Sequence, residues 1–382
     1  MIALFFALGV LLLLCSLHPF VTYPISLIVI RLRRGRARIV PSSASREESI
    51  AVCFCAFNEE SVIEAKMRNL LHLRHLAPHL EILVYVDAAS DRTADLLRPF
   101  AGQIKLHISP ERRGKTYGMN LLVEMAEASI VVFTDANVML DSAALSNLYP
   151  YFADSHVGCV CGHLTYTNAA ESAIAATGAH YWRLEERIKQ LESDTGSVIG
   201  AHGSIFAVRR RLRRPVPDDV SDDLHISLSM LCDGYRVVYA PDVRAYERAM
   251  TTPSDEFNRK VRIACQAFNV HRLLWPRLRY LDALSLYKYV SHKLLRWLSV
   301  YMLVTATICF VSGLIMAQLS FLGFLLVTLS TMILYLGHRW RLGFISCLWG
   351  VLSALIATGA GIWLSLRGER FQIWTPGSPL RR

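Results

Sequence analysis

Short apolar runs alternate with helical patterns over the middle of the chain. The runs are rich in β-branched and aromatic residues and are too short for helices, so we predict four buried strands. They cover residues 49–54, 80–86, 104–108 and 128–134. The helical patterns between them cover residues 62–76, 93–100 and 116–126. Strands that alternate with helices predict a doubly wound, mostly parallel α/β sheet.

Longer apolar stretches lie at the two ends of the chain. Residues 1–30 contain no Asp, Glu, Lys or Arg, and residues 298–366 contain only Arg339 and Arg341 of these types. The second stretch divides into three segments, each with about the 20 residues that a membrane span needs. We therefore predict an N-terminal membrane anchor over residues 1–30 and about three transmembrane helices over residues 298–366. Buried helices of a soluble domain are disfavoured, because three nearly chargeless segments follow one another.

Positive charge follows the first apolar stretch. The formal net charge is +10, and five arginines lie between Arg31 and Arg38. A signal peptide has its charge before the apolar run, so we predict a retained anchor whose C-terminal end lies in the cytoplasm, followed by a basic linker over residues 31–48. Residues 281–297 mix basic and aromatic side chains and predict an interfacial helix. Four membrane crossings would place the tail, residues 367–382, outside the cytoplasm. The four arginines of the tail favour the cytoplasm instead, so both locations of the tail stay open. One apolar segment could also be re-entrant.

The sequence disfavours a cysteine metal site and a nucleic-acid binding site. The nine cysteines show no metal spacing, and the pairs Cys53/Cys55 and Cys159/Cys161 are typical of small core residues on one face of a strand. The basic charge has no helix-turn-helix, zinc or RNA-binding signature beside it, so we expect no nucleic-acid partner. Hydrophobic residues make up 53% of the chain, which is the level expected when part of a protein lies in lipid.

Acidic and amide side chains follow the predicted strands. Asp87 follows the second strand, and Asp135 and Asn137 follow the fourth. Ligands of open α/β sheets bind beyond the carboxyl ends of the strands, so Asp135 and Asn137 are candidates to face a divalent cation that carries a diphosphate. The alternative is a loop acid that caps a helix beginning near Asp141.

A collinear set of short motifs runs through the middle of the chain. The motifs are Ala56-Phe57-Asn58-Glu59, Asp87 to Thr93, Gly114-Lys115 with Asn120, Thr134 to Asn137, Tyr181-Trp182, Glu185, Glu192-Ser193, Gly196, Gly200 to Arg210, Ser221-Asp222-Asp223, Gly234 to Tyr239, and Arg259 to Ile263. This set resembles the family 2 glycosyltransferases, which have the GT-A fold. The resemblance covers residues 49–269 and predicts a catalytic domain over residues 49–280. Each motif is weak alone, and their shared order makes the resemblance specific.

The resemblance implies a donor site for a nucleotide diphosphate sugar, with a UDP-sugar expected. The implied donor residues are Ala56, Asn58, Glu59, Asp87, Lys115, Asp135, Arg259 and Arg262. Asp87 and the Asn58-Glu59 turn would hold the base and ribose, and Lys115 a phosphate or the base edge. The alternatives are that Asp87 caps the helix near Thr93 and that Lys115 is a solvated loop lysine.

Family members transfer the sugar with inversion, which requires a general base for the acceptor hydroxyl. By resemblance Asp223 is that base, with Asp222 beside it; the alternative is that both acids open a helix. Asp218 and Asp219 fit a local turn better. The implied acceptor contacts are His202, Gly203 and Glu192, and His202 has no partner His or Cys at metal spacing.

Two positions depart from the family pattern. The usual D-x-D is Asp135-Ala-Asn137, so we expect Mg²⁺ or Mn²⁺ to be held chiefly by Asp135 and the donor phosphates, with Asn137 a weaker ligand. Arg262 is followed by Ile263 and not by the tryptophan of Q-x-x-R-W, which weakens a processive interpretation. Trp374-Thr375-Pro376 resembles a tail motif of such synthases and favours a cytoplasmic tail.

These inferences predict a multi-pass glycosyltransferase of a bacterial inner membrane, with a cytoplasmic catalytic domain. It would act on a glycan or lipid-linked acceptor and contact membrane lipids. Two alternatives remain open: a processive polysaccharide synthase that also translocates its product, and a non-catalytic assembly subunit that keeps the fold.

Overall fold

The molecule is known from a computed structural model that describes residues 1–37, 39, 48–168, 173–248, 253–340 and 343–373. Residues 38 and 40–47 of the predicted linker and the Trp374-Thr375-Pro376 motif lie outside these residues. The strands are β1 Ile50–Ala56, β2 Glu81–Asp87, β3 Lys105–Ser109, β4 Ile130–Thr134, β5 Met139–Leu140, β6 Val157–Tyr166, β7 Ile205–Arg209 and β8 Arg236–Glu247. The first four confirm the predicted strands, with ends displaced by one or two residues.

The eight strands form one mixed sheet in the order β3-β2-β1-β4-β7-β6-β8-β5. Strands β1 to β4 pair in parallel, and β6 pairs in parallel with β8. Strand β7 runs antiparallel between β4 and β6, and β5 runs antiparallel to β8. The carboxyl ends of β1, β2 and β4 therefore meet at one edge, as the sequence predicts.

The helices of the catalytic region cover both faces of this sheet. They are α3 Ile63–Leu76, α4 Thr93–Leu97, α5 Lys115–Met125, α6 Tyr149–Phe152, α7 Ala173–Asp194, α8 Asp222–Cys232 and α9 Pro253–Leu278. Every residue of β1 and β4 is buried, which explains why both strands read as continuous apolar runs. Cys53, Cys55, Cys159 and Cys161 lie in one core layer beneath α5 and α8, as small apolar residues.

The apolar ends of the chain form helices that pack on one another. These are α1 Ile2–Leu17, α2 Thr22–Arg34, α10 Ala283–Tyr289, α11 Leu295–Met316, α12 Ser320–Arg339 and α13 Gly343–Leu366, and a π-helical turn, Val290–Leu294, joins α10 to α11. Three helical stretches among the described residues are long and apolar enough to cross a membrane: Ala283–Met316, Ser320–Gly337 and Leu348–Leu366. The predicted anchor over residues 1–30 is divided between α1 and α2, which bend by 62°.

Contacts fix the directions of three of these helices. Gly9 of α1 lies against Phe310 of α11, and Phe6 lies against Gly313, so α1 and α11 are antiparallel. Tyr301, near the start of α11, donates a hydrogen bond of 2.7 Å to the carbonyl oxygen of Gly359, near the end of α13. Because the start of α11 lies beside the end of α13, these two helices are also antiparallel.

Candidate active site

Asp135 and Lys115 meet at the carboxyl edge of the sheet. Asp135 follows the last residue of β4, and Lys115 is the first residue of α5, which begins after Gly114 at a φ of +90°. The Lys115 ammonium lies 2.5 Å from Asp135 Oδ1. Burial opposes the charge, but the carboxylates of Asp135, Asp222 and Asp223 raise the pKa of Lys115 above its usual value. Lys115 is therefore a fixed cation inside the site and not a solvated loop lysine.

Asp223 lies near the same ammonium. It is in the first turn of α8, where its Oδ1 accepts the Ser221 hydroxyl and the Leu224 N–H, the latter at 2.7 Å. A Cβ placed on Gly203 would lie 3.3 Å from Asp223 Oδ2 and 3.4 Å from Lys115 Nζ. Gly203 thus lets the backbone of the predicted acceptor loop approach both groups, and the pocket brings together residues predicted for the donor, the acceptor and the base.

Burial and the adjacent Asp222 raise the pKa of Asp223, and Lys115 and two hydrogen bonds partly offset that effect. Asp222 is buried at 6% exposure, and its Oδ2 has no hydrogen-bond partner in the described part of the chain. Both acids also stand at the N-terminus of α8, where the helix dipole favours negative charge. The structural and catalytic interpretations of this pair are therefore compatible.

Asp87 is fully buried at the end of β2. Its carboxylate accepts the backbone N–H groups of Arg113, at 2.7 Å, and Gly114, at 3.1 Å, and Arg112 Nε at 3.1 Å. Asp87 therefore fixes the loop that positions Lys115. The alternative role of capping the helix near Thr93 falls to Asp91, whose Oδ1 accepts the Thr93 N–H at 3.0 Å.

The turn after β1 joins the turn after β2. Ala56 is the buried last residue of β1, and Asn58 has a φ of +53°. The Asn58 Oδ1 accepts the Ser90 N–H at 2.7 Å, and the Glu59 N–H donates to Thr93 Oγ1 at 2.7 Å. These bonds hold the predicted donor turn against the strand end that carries Asp87.

Two arginines of α9 add positive charge beside Asp135. Burial and the neighbouring Arg259 lower the pKa of Arg262 to about 10, while the charge on Asp135 opposes this. For Arg259, Tyr166, Glu247 and other acids outweigh burial and raise its pKa. The charge on Arg259 is close enough to lower the pKa of Arg262. Two arginines this close together are suited to bind an anionic diphosphate.

His202 packs against Trp182, with the ring centroids 4.4 Å apart, and its Nδ1 lies 3.0 Å from Ser204 Oγ. Burial, Lys189 and Arg259 hold its pKa well below the usual value. His202 is therefore a neutral hydrogen-bonding group at neutral pH.

Glu192, the remaining expected acceptor contact, is enclosed by other parts of the chain. It is fully buried on α7, where its carboxylate accepts Tyr23 OH at 2.5 Å and the Ile199 N–H at 2.9 Å and lies 2.7 Å from His292 Nδ1. Since Tyr23 lies on α2 and His292 on the π-helical turn, this carboxylate joins the catalytic region to both apolar ends of the chain.

Comparison with known proteins identifies the family. Residues 47–266, more than half of the chain, match the family described as glycosyltransferase like family 2. The chain belongs to this family. The resemblance seen in the motifs is thereby confirmed, and the protein is a glycosyltransferase.

Relatives of the glycosyltransferase include an N-acetylglucosaminyltransferase of Rhizobium meliloti, 24% identical over 73% of this chain and 75% of the relative. A poly-beta-1,6-N-acetyl-D-glucosamine synthase of Staphylococcus epidermidis is 23% identical over 66% of this chain and 63% of its own length. The mannosyltransferase PcManGT of Pyrobaculum calidifontis, solved with GDP-Man and Mn²⁺, has a TM-score of 0.72, 22% identity, and coverage of 96% of this chain and 99% of its own. That likeness confirms the GT-A fold.

One acid of the glycosyltransferase was not identified from its sequence. Glu247, the last residue of β8, accepts a hydrogen bond of 3.1 Å from Asn137 Nδ2. Burial is the main effect that raises its pKa, and Asp135 adds to it, while Arg259 lowers it. Among the described residues, no group of three or more His, Cys, Asp or Glu side chains has the spacing of a metal site. The oxygens that fit a divalent cation here come from two carboxylates, Asp135 and Glu247, and the Asn137 amide.

The segment after α13 returns to the glycosyltransferase domain. Gln266 of α9 donates a hydrogen bond of 2.6 Å to the carbonyl oxygen of Phe371, and Gln372 donates one of 3.0 Å to the carbonyl oxygen of Arg113. Residues 367–373 therefore run from the apolar helices to the loop that carries Lys115.

Proposed function

We propose that the protein is an inverting glycosyltransferase of a bacterial inner membrane that uses a UDP-sugar, with UDP-N-acetylglucosamine as the first candidate, and extends a glycan or lipid-linked acceptor. The observation that carries the reaction is the convergence of Asp135, Lys115 and Asp223 on one pocket. The candidate donor is taken from the two named relatives that act with N-acetylglucosamine.

In this proposal Asp223 accepts the proton of the acceptor hydroxyl as its oxygen attacks the anomeric carbon. The bond from that carbon to the diphosphate oxygen breaks on the opposite face, which inverts the configuration. Lys115, Arg259 and Arg262 stabilise the negative charge that develops on the diphosphate. A bound divalent metal would supply further charge neutralisation at that diphosphate, and Asp135 would hold it.

The contacts between helices support a membrane topology. The arginines at the end of α2 favour a cytoplasmic location for that end of the N-terminal apolar stretch, and α11 and α13 each run antiparallel to a neighbour. Residues 367–373 contact the catalytic domain, which requires an even number of crossings between Leu295 and Leu366. We therefore propose that α1, α11 and α13 cross the bilayer and that α12 does not cross it.

Release of UDP from UDP-N-acetylglucosamine by the full-length protein in detergent tests the function, with and without Mg²⁺ or Mn²⁺. Asp223→Asn keeps the size of the side chain and removes the base, so turnover should fall by about 10²–10⁴-fold while UDP still binds. The matched control is Asp95→Asn, because Asp95 is an exposed acid on α4. Turnover in Asp223→Asn equal to that of the control would refute the base. Absence of turnover with every UDP-sugar and GDP-sugar tried would refute the enzyme and favour an assembly subunit.

A further inference from the structure

One carboxylate oxygen of Glu247 has no hydrogen-bond partner among the residues that the structure describes. Its Oε1 accepts the Asn137 amide, while its Oε2 is buried without a hydrogen-bond partner among the residues that the structure describes. A buried carboxylate oxygen is costly to desolvate unless a donor or a cation reaches it. The position of Glu247 beside the metal motif indicates which kind of partner this is.

Two carboxylates approach the same place from different strands. Asp135 follows β4 and Glu247 ends β8, and their negative charges act on each other across Asn137. Arg259 and Lys115 are the cations that act on Glu247 within the described structure, and Lys115 is already paired with Asp135 Oδ1. Two acids with an amide between them form an oxygen-rich set of the kind that Mg²⁺ and Mn²⁺ prefer.

We propose that Glu247 is the second carboxylate ligand of the divalent metal, in place of the second acid that Asp135-Ala-Asn137 lacks. Asn137 is then a positioning residue: its amide holds Oε1 and directs Oε2 toward the metal. This inference rests on the proposed function, since it concerns the metal of that same donor site. It explains how the chain keeps two carboxylates at the site after losing one from the motif.

Mn²⁺ binding to the full-length protein in detergent, with UDP present, tests the proposal without a catalytic readout. The signal of free Mn²⁺ in electron paramagnetic resonance gives the dissociation constant. Glu247→Gln should weaken Mn²⁺ binding by about 10-fold or more, since even outer ligand partners are worth about 10- to 100-fold. The double variant Asn137→Asp with Glu247→Gln returns an acid to the motif and should regain most of the affinity.

Glu256→Gln is the matched control. Glu256 also lies near Arg259, at 3.6 Å, and the substitution removes the same charge without touching Asn137, so its affinity for Mn²⁺ should stay within about twofold of the wild type. Equal affinity in Glu247→Gln and the wild type, equal losses in Glu247→Gln and the control, or no Mn²⁺ binding by the wild type would overturn the proposal.

If Glu247→Gln does not fold, the double variant decides. Binding of Mn²⁺ by the folded double variant that is weaker than binding by Asn137→Asp alone supports ligation by Glu247, and equal binding by these two variants refutes it. These outcomes are separate from the proposed function. Wild-type UDP release with an unaltered Mn²⁺ affinity in Glu247→Gln would remove Glu247 as a ligand and leave the glycosyltransferase reaction standing.

Discussion

Glu192→Ala distinguishes a residue that joins parts of the fold from a residue that contacts the acceptor. The substitution leaves Tyr23 OH, the Ile199 N–H and His292 without their common acceptor in a fully buried place. Removal of one partner from a buried charged pair costs about 3–5 kcal/mol. We therefore expect the free energy of unfolding in detergent, measured by denaturant titration, to fall by about that amount.

The control is Glu64→Ala on α3, where Glu64 forms an exposed i,i+4 pair with Arg68. Its effect on the free energy of unfolding should stay below about 0.5 kcal/mol. Below the unfolding temperature, Glu192→Ala should keep the wild-type KM for the acceptor, because its carboxylate is fully buried and bonded to other parts of the chain. Unchanged stability together with a raised acceptor KM would show that Glu192 contacts the acceptor and that this reasoning is wrong.

Three further predictions concern the loop, the base and the tail. Asp222→Asn removes the like charge that raises the pKa of Asp223, so the acidic limb of the pH profile of kcat/KM should move to lower pH; a limb that stays in place would contradict this effect. Gly114→Ala adds a Cβ at a positive φ where it overlaps the carbonyl oxygen of Gln372, so KM for the donor should rise about 10-fold, while Gly102→Ala, which meets nothing within 4 Å, should leave it unchanged. A green fluorescent protein fused after Arg382 should fluoresce and an alkaline phosphatase fused there should be inactive, and the reverse result would place the tail outside.

The parallel part of the sheet could be predicted because its pattern is local. Strands β1 and β4 are buried on both faces, so each shows as a short unbroken apolar run, and the helices between them show as separate patterns. The antiparallel insertion of β7 could not be predicted in the same way. Strand β7 lies between β4 and β6 because it pairs with Ile130–Thr134, which is far away in the chain. A five-residue apolar run does not indicate whether a strand is parallel or antiparallel to its neighbours.

The missed contacts share one cause. Asn137 and Glu247 are separated by 110 positions, and Tyr23 and Glu192 by 169. Sequence motifs identify residue types at short spacing, whereas these pairs form when separate strands and helices pack together. No strand is predicted before Glu247, so nothing in the sequence marks it as an acid at a strand end. Glu192 is assigned to the acceptor by resemblance alone, which carries no information on its burial.

Burial also explains why acids of one type take different roles at the same edge of the sheet. Asp87 is fully buried with three donors from the Arg112 to Gly114 loop, while the Asp135 side chain is 35% exposed and meets Lys115. A carboxylate enclosed by donors from its own chain stabilises the loop that presents a cation, whereas an accessible carboxylate can receive a ligand. Asp87 therefore sets the position of Lys115, and Asp135 is its charge partner. Loss of Asp87 should displace the cation from the pocket, and loss of Asp135 should leave the cation in place without its partner.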